Sequence, residues 1–272
     1  MAQELYRNLP GLKICIAGAG VTGIACAFAL QKRGVEVTII DENVTSHPEF
    51  TVIHPDQIDI STCDRLLISP GWREQHPMVQ AARAAQVPII NEIDLAWSLK
   101  KPQQKWLALT GTNGKTTTVE LTALMLQKGG IAALACGNVG TTVIETVDSA
   151  LDYDYLVLEL SSFQLHWMED ASFSAAAILN IAQDHLDWHG SFDAYADAKL
   201  SILDRATTGI LNGEDPEIVH RSTHWQGQKV FFTLDTPGPG EIGIVEELLV
   251  DRAFVANPQE AAMIAELTEV QP

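Results

Sequence analysis

The segment at residues 110–117 reads T-G-T-N-G-K-T-T and contains the residue types that bind a phosphate group. The glycines let consecutive backbone N–H groups converge on one anion, and a following helix adds its positive N-terminal end. Lys115 would reach the β- and γ-phosphates, and the Thr116 hydroxyl would bind Mg²⁺. We therefore predict an ATP-binding loop made of Gly111, Thr112, Asn113, Gly114, Lys115, Thr116 and Thr117.

This loop is a variant, because the strict phosphate-loop pattern requires a glycine at the position of Leu109. The alternative is an ordinary glycine-rich turn with an exposed lysine. An apolar run at residues 107–110 predicts a strand before the loop, and helical spacing predicts a helix at residues 117–128 after it. This context favours the phosphate loop, since the motif joins a strand to a helix.

Other side chains with chemical potential follow predicted strands of the same sheet. Glu159 closes an apolar strand at residues 155–158, where a carboxylate faces the ligand crevice of an α/β fold and can bind Mg²⁺. The alternative for Glu159 is a helix N-cap or a surface acid. A strand at residues 175–180 leads to His185 and His189, with Asp184 and Asp187 between and beside them, which suggests metal binding or substrate polarisation. His189 could equally be structural.

The N-terminal part contains a second nucleotide-binding pattern. A strand at residues 12–17 is followed by G-x-G-x-x-G at residues 18–23, a helix at residues 24–32 and a strand at residues 35–40 that ends beside Asp41. This order is typical of a Rossmann unit, in which the acid binds a ribose. Three readings remain open: NAD, another nucleotide, or glycines that only permit close packing.

The remaining pattern predicts an α/β protein with parallel sheets in two domains. Strands at residues 65–68 and 87–90 alternate with helices at residues 75–85 and 91–99. The polar segment 100–105 separates a domain at residues 1–100 from one at residues 101–272. The second domain is predicted to have a strand at 131–135, a helix at 141–147, a helix at 191–203 that Ser191 caps and that carries Lys199, and peripheral strands at 242–245, 248–250 and 254–255.

Composition limits the possible partners. The 272 residues carry a formal net charge of −18, which argues against nucleic acid or an anionic membrane surface. We expect no signal peptide, and the sequence has no apolar stretch of the roughly 20 residues that a membrane span needs. The four cysteines are scattered, so we predict neither a metal site nor a disulfide framework. A cytoplasmic location and a monomer are expected.

The chain resembles the Mur ligases, most closely the branch that adds D-glutamate. The resemblance runs from Lys13 to about Ala206 and depends on S-P-G, T-G-T-N-G-K-T-T, G-N-V-G, E-L-S-S-F-Q-L, L-N-I-A-Q-D-H-L-D and A-Y-A-D-A-K, in this order. It implies a Rossmann-like first domain, a phosphate-loop central domain, and ATP-dependent ligation of D-glutamate to UDP-N-acetylmuramoyl-L-alanine through an acyl phosphate.

The resemblance also implies roles for individual residues. Lys115, His185 and Lys199 would be catalytic. Thr116 and Glu159 would share one Mg²⁺, and His185 and a carbamylated Lys199 would bind a second. The first domain would bind UDP rather than NAD. The residues implied in substrate binding are Val21, Thr22, Gly23, Asp41, Glu42, Asn43, Ser69, Pro70, Gly71, Asn138, Ser161 and Gln164.

Alternatives from other classes are a nucleotide-dependent oxidoreductase, a folylpolyglutamate synthase and a non-catalytic nucleotide-binding protein. The oxidoreductase gives the phosphate loop no role, and the synthase would lack this first domain. Family members would next have a helix with a His-Asn motif and a third domain that binds D-glutamate. The sequence ends at Pro272 without them. We therefore expect a truncated form that binds the UDP-linked substrate but is inactive alone.

Overall fold

The computed structural model describes Tyr6, residues 8–257 and residues 259–270. The N-terminal part forms a five-stranded sheet in which all strands are parallel. Its strands are β1 (Lys13–Ala17), β2 (Glu36–Ile40), β3 (Thr51–Ile53), β4 (Arg65–Ile68) and β5 (Ile89–Asn91), in the spatial order β3-β2-β1-β4-β5. The helices of this part are α1 (Val21–Gln31), α2 (Pro77–Ala84) and α3 (Glu92–Leu99).

The rest of the chain forms a nine-stranded sheet. The strands are β6 (Lys105–Thr110), β7 (Ala133–Gly137), β8 (Tyr155–Glu159), β9 (Ala175–Ile178), β10 (Thr208–Asn212), β11 (Gln228–Phe232), β12 (Glu241–Val245), β13 (Leu248–Asp251) and β14 (Ala262–Glu266). Their order is β14-β13-β12-β11-β10-β9-β6-β8-β7, parallel from β7 to β12 and antiparallel from β12 to β14. The helices are α4 (Lys115–Lys128), α5 (Val143–Asp148), α6 (Ser162–Trp167), α7 (Leu186–His189), α8 (Phe192–Leu200) and α9 (Pro216–Arg221).

The central strands are apolar on both faces because helices and loops cover both sides of the sheets. In β1, Ile14 and Ile16 pack into the main hydrophobic core, whereas Cys15 and Ala17 pack into a second core with Met78 of α2. This alternation follows from the two-residue period of a strand, and continuous apolar runs are typical of buried parallel strands. No helix in the described part of the chain is long and apolar enough to cross a membrane.

The predicted α/β class with parallel sheets is confirmed, and most predicted elements are present with shifted ends. Helix α1 begins at Val21, three residues before the predicted start, because Gly20 is its N-cap. Several elements were not predicted: the short edge strand β3, helices α6, α7 and α9, and strands β10, β11 and β14. The two sheets begin at Lys13 and Lys105, and the domain boundary at residue 100 stays a prediction. Residues 1–5, 7, 271 and 272, at the two ends of the chain, lie outside the described residues.

One predicted peripheral strand is wrong. Residues 254–255 are not in a strand, because the Asp251 carboxylate accepts hydrogen bonds from the backbone N–H groups of Ala253 and Phe254 and turns the chain after β13. The strand that pairs with β13 is β14 instead. The peripheral β region is therefore the antiparallel edge of the nine-stranded sheet.

The prediction of no disulfide is also wrong. Cys15 in β1 and Cys63 just before β4 form a disulfide with a Cα–Cα distance of 6.2 Å, whereas Cys26 and Cys136 are free and buried. The two bonded cysteines are 48 residues apart in sequence, but β1 and β4 are neighbours in the sheet. Spacing along the chain did not reveal this proximity.

Helix α3 joins the two sheets through a buried carboxylate. Asp94 accepts hydrogen bonds from the backbone N–H groups of Glu169, Asp170 and Ala171 at 2.7, 3.0 and 2.8 Å. The amide of Asn91 donates to the same carboxylate at 2.6 Å. Several donors compensate the cost of burying this side chain, so the contact fixes the segment after α6 against the first sheet.

Glu92, two residues earlier, makes a similar carboxylate-to-backbone contact with α5. Its Oε1 accepts the backbone N–H of Ile144 at 3.1 Å, while its Oε2 has no hydrogen-bond partner among the described residues. Burial raises the pKa of Glu92 to about 7, although the N–H groups of Ile144 and Val143 act in the opposite direction. The α3 helix therefore contacts both α5 and the segment after α6.

Candidate active site

The phosphate loop connects β6 to α4 at the carboxyl edge of the second sheet. Gly114 is the N-cap of α4 and has φ +81°, a conformation that favours glycine. A Cβ atom on Gly111 would lie 3.1 Å from Leu179 Cβ, so the loop packs closely on the chain after β9. Asn180 accepts the backbone N–H of Asn113 at 2.8 Å and donates to the Asn113 carbonyl at 3.1 Å.

Two lysines point their ammonium groups at the same loop carbonyl. Lys115 donates to the carbonyls of Gly111 and Thr112, each at 3.0 Å. Lys199 is buried in α8 and donates to the Gly111 carbonyl at 2.8 Å and to Thr110 Oγ1 at 3.3 Å. Burial, and then the charge of Lys115, lowers the pKa of Lys199 to about 7. Lys115 therefore supplies positive charge and backbone N–H groups supply donors at this loop, as an anion site requires.

Glu159 ends β8, next to β6 in the sheet, and is only 2% exposed. Its Oε2 accepts the Thr116 hydroxyl at 2.7 Å, and its Oε1 accepts the Asn138 amide at 3.1 Å. The structure thus brings together three residues that the sequence assigned to the site. A hydroxyl and a carboxylate are the oxygen ligands that suit Mg²⁺, which takes few protein groups beside phosphates.

The second proposed metal pair is not joined in this structure. His185 Nε2 lies 3.4 Å from Asp184 Oδ2, and its ring packs at 4.7 Å on Phe163. The Lys199 ammonium is a hydrogen-bond donor without a lone pair, so unmodified Lys199 does not fit a cation. In the described part of the chain, no group of three or more His, Cys, Asp or Glu could hold a metal.

His189 has a structural environment. Its Nε2 lies 2.9 Å from Ser162 Oγ, and its ring contacts Phe163 and Tyr195. Burial, and then electrostatic interaction with the neighbouring His166 and His185, lowers the pKa of His189 to about 4. His189 is therefore neutral at pH 7 and shapes the site by packing.

Ser161 and Gln164 pair with each other. The Gln164 N–H donates to Ser161 Oγ at 3.2 Å, and Gln164 Oε1 accepts the Ser161 N–H at 2.9 Å, which is the capping box of α6. These side chains hold the first turn of α6 beside Glu159. Their implied role in substrate binding stays a prediction.

The first domain has a cavity of about 610 Å³ beside the ends of β2 and β4. Its lining includes five of the predicted substrate residues, Asp41, Glu42, Asn43, Ser69 and Gly71, and four that were not predicted, Trp72, Arg73, Gln75 and His76. Val21, Thr22 and Gly23 lie in the first turn of α1, and a Cβ on Gly23 would meet the Gly18 carbonyl at 1.9 Å. Pro70 lines a smaller space beside Glu92 and Gln164.

Asp41 stabilises the loop after β2. Its carboxylate accepts the backbone N–H groups of Ala19, Asn43 and Val44 at 2.7 to 2.9 Å. Partial burial raises the pKa of Asp41, but these donors outweigh it and keep the pKa below its usual range. Glu42 lies beside it and contacts His76 Nε2 at 3.1 Å.

Sequence reasoning missed Asn180 and Tyr195. The Tyr195 hydroxyl lies 2.9 Å from Thr112 Oγ1, and its buried ring lies 4.8 Å from the Lys199 ammonium. Asn180 lies just after β9, in the same way that Glu159 ends β8, so the position of Asn180 near a strand end was a signal in the sequence. For Tyr195, its place four residues before Lys199 on one helix face was the signal.

Comparison with known proteins identifies both parts of the chain. The model of the Mur ligase middle domain matches residues 109–246, and the model of the MurD-like N-terminal domain of Mur ligases matches residues 12–91. A relative from Thermobifida fusca, named UDP-N-acetylmuramoylalanine–D-glutamate ligase, is 44% identical over 97% of this chain and 61% of its own length. A relative of the same name from Streptomyces coelicolor is 36% identical over 96% of this chain and 60% of its own length. The chain spans about 60% of the length of these relatives.

Solved structures share the fold at low sequence identity. The Neisseria meningitidis ligase that joins UDP-N-acetylmuramate to L-alanyl-γ-D-glutamyl-meso-diaminopimelate has a TM-score of 0.54 and 17% identity, covering 88% of this chain and 82% of that chain. MurF from Acinetobacter baumannii has a TM-score of 0.50 and 19% identity, covering 95% of this chain and 53% of that chain. These similarities concern the fold alone.

Proposed function

Because this chain belongs to the Mur ligase family, we propose that it provides the nucleotide sites of an ATP-dependent ligase that adds D-glutamate to UDP-N-acetylmuramoyl-L-alanine. The contact of Thr116 with Glu159 at the phosphate loop carries this proposal, since it joins a hydroxyl and a carboxylate where ATP phosphates and Mg²⁺ would bind. The names of the relatives support the substrates.

In this proposal the loop binds and orients ATP. The N–H groups of Gly111 to Thr117 and the Lys115 ammonium hold the β- and γ-phosphates, after Lys115 leaves the Gly111 and Thr112 carbonyls. Thr116 and Glu159 would hold a Mg²⁺ ion, which neutralises phosphate charge when bound. The substrate carboxylate then attacks the γ-phosphorus, ADP leaves, and the D-glutamate amine displaces phosphate from the acyl phosphate to give an amide.

Lys199 is proposed to act as a carbamate. With a pKa of about 7, a substantial fraction of its amine is neutral near pH 7 and can attack the carbon of CO₂, losing a proton and leaving a carboxylate-like group. That group is an oxygen ligand, so it and His185 would fit a second Mg²⁺, which the ammonium does not. Detection of the labelled carbamate by ¹³C NMR in ¹³CO₂-saturated buffer tests this modification.

We propose that the cavity of about 610 Å³ binds the uridine diphosphate part of the substrate rather than NAD. The separate ATP loop supports this choice, since an NAD enzyme gives that loop no role. The Asn138 amide donates to Glu159, and Ser161 and Gln164 form the capping box of α6. These positions suit contacts to the muramoyl-alanine part. A cytoplasmic monomer with a domain boundary near residue 100 completes the proposal.

Calorimetric titration of the chain with UDP-N-acetylmuramoyl-L-alanine, UDP and NAD tests the assignment of the first domain. We expect the UDP-linked substrate to bind more tightly than UDP, and UDP more tightly than NAD. Binding of NAD in preference to the UDP-linked substrate would overturn the proposal and favour an oxidoreductase.

A further inference from the structure

A loop of the first domain contacts the short helix α7, whose N-cap is His185. The Trp188 indole Nε1 donates to the Gly71 carbonyl at 3.1 Å. Two residues along the loop, Arg73 Nη2 donates to Asp187 Oδ2 at 3.0 Å. Gly71 and Arg73 also line the first-domain cavity, and Trp188 and Asp187 belong to α7. The same loop therefore faces the cavity on one side and α7 on the other.

The contact continues from Trp188 to His185 through one aromatic ring. The Phe163 ring lies 4.8 Å from the Trp188 ring and 4.7 Å from the His185 ring. His185 is the N-cap of α7 and has φ +50°, which is uncommon for a residue with a side chain. Since His185 starts the one-turn helix that carries Trp188, a displacement of that helix moves the His185 backbone as well.

The two contacts differ in how a ligand would affect them. Arg73 and Asp187 are 48% and 79% exposed, so their ion pair is weak by itself. Arg73 is a cation in the lining of the cavity, so a diphosphate there would compete with Asp187 for its guanidinium. The Trp188 indole donates to a backbone carbonyl, so the indole moves with the loop when a ligand changes the position of the loop.

We propose that Trp188 is a positioning residue that couples occupancy of the first-domain cavity to the placement of His185. The His185 ring lies 6.4 Å from the ring of Tyr195, whose hydroxyl contacts Thr112 of the phosphate loop. This inference depends on the proposed function, because it takes a UDP-linked ligand for the cavity and a nucleotide for the loop. Coupling of this kind is reciprocal: each ligand changes the affinity of the other by the same factor.

The test measures the affinity of the 272-residue chain for UDP-N-acetylmuramoyl-L-alanine, alone and with saturating Mg²⁺ and a non-hydrolysable ATP analogue. In the unsubstituted chain we expect the analogue to change this affinity by about fivefold or more. In Trp188→Phe, which keeps an aromatic ring but lacks the N–H donor, the factor should fall below about twofold. Each ligand alone should bind the variant within about twofold of its original affinity.

Trp97→Phe is the matched control, since the Trp97 ring packs on Trp106 away from both contacts. It should retain the full coupling factor. Asp187→Asn removes the exposed ion pair but keeps the indole, so it should retain most of the coupling factor. If Trp188→Phe does not fold, Trp188→Leu, which also lacks the indole donor, takes its place. The Trp188 indole N–H resonance, identified by its absence in Trp188→Phe, should shift when either ligand binds alone.

An undiminished coupling factor in a folded Trp188→Phe variant would overturn this inference. Independent binding of both ligands to the unsubstituted chain would also overturn it, while leaving the proposed function intact. Failure to bind either ligand would instead overturn the proposed function, and the inference with it.

Discussion

Thr116 donates its hydroxyl hydrogen to Glu159 across 2.7 Å, which ties the first turn of α4 to the end of β8. The Glu159 carboxylate is almost completely buried, and among the described residues its other oxygen receives only the neutral amide of Asn138. A buried carboxylate without a positive partner in contact is costly, and a bound cation would reduce that cost. This arrangement supports the proposal that Thr116 and Glu159 would hold the Mg²⁺ ion that accompanies ATP.

The first prediction concerns Glu159→Gln. We expect Mg²⁺ to tighten ADP binding to the unsubstituted chain. In the variant, the factor by which Mg²⁺ tightens ADP binding should be about tenfold smaller, or about 1.4 kcal/mol, because the ion loses a negative ligand. Calorimetric titration with ADP, with and without Mg²⁺, measures the gain. Glu120→Gln, on the exposed side of α4, serves as the control. An unchanged Mg²⁺ effect in Glu159→Gln would contradict the metal assignment.

The second prediction concerns Lys115→Ala. Removal of the ammonium should weaken ATP binding by roughly ten- to a hundredfold, since a hydrogen bond to a charged group is worth about 1.5–3 kcal/mol. The fold should survive, because Lys115 is only partly buried and bonds two carbonyls of its own loop. Titration and thermal melting by circular dichroism test both parts, with Lys128→Ala in the last turn of α4 as the control. Equal ATP affinity in a folded variant would refute the assignment.

The third prediction concerns the pH dependence of stability that Lys199 confers. Its pKa falls from 10.5 when unfolded to about 7 when folded, so the unfolded chain binds more protons between these values. The free energy of unfolding should therefore rise between pH 7 and about 10.5, by up to a few kcal/mol at about 1.4 kcal/mol per pKa unit. Lys199→Met should lose this rise in CO₂-free denaturant titrations, whereas Lys128→Met should keep it. A rise that persists in Lys199→Met would rule out this source.

The fourth prediction has the opposite sign and concerns Glu92. Its pKa rises from 4.5 when unfolded to about 7 when folded, so the folded chain holds an extra proton between these values. Its contribution to the free energy of unfolding should fall as pH increases from 4.5 to 7. The free energy of unfolding of Glu92→Gln, relative to that of the original chain, should therefore be higher at pH 8 than at pH 5, as measured by urea denaturation. Equal differences at the two pH values would contradict the buried, protonated state.

The local motifs of the site could be predicted, because each lies within one short segment. The phosphate loop and Glu159 were found from residue type and strand context, and the sheet order β9-β6-β8 then brings their strand ends together. Contacts between distant segments could not be found in this way. Tyr195 meets Thr112 across 83 positions, and Cys15 meets Cys63 across 48.

The same limit applies to the first domain. The family resemblance implied a ligand role for Val21, Thr22 and Gly23, which stays a prediction, and the cavity is lined mainly by the segments after β2 and β4. Trp72, Arg73 and His76 follow the S-P-G motif without a pattern of their own. Their contribution depends on how the loop after β4 folds back towards Glu42, which residue spacing does not encode.

The two acidic residues of α3, Glu92 and Asp94, determine whether the chain can be cut into two stable fragments. A fragment that ends near residue 100 would keep Asp94 but lose the peptide N–H groups of Glu169, Asp170 and Ala171, and the other fragment would keep these donors without their acceptor. Glu92 and the first turn of α5 would be separated in the same way. Each fragment would expose an interface built for burial, so we expect the two sheets to melt in a single cooperative transition.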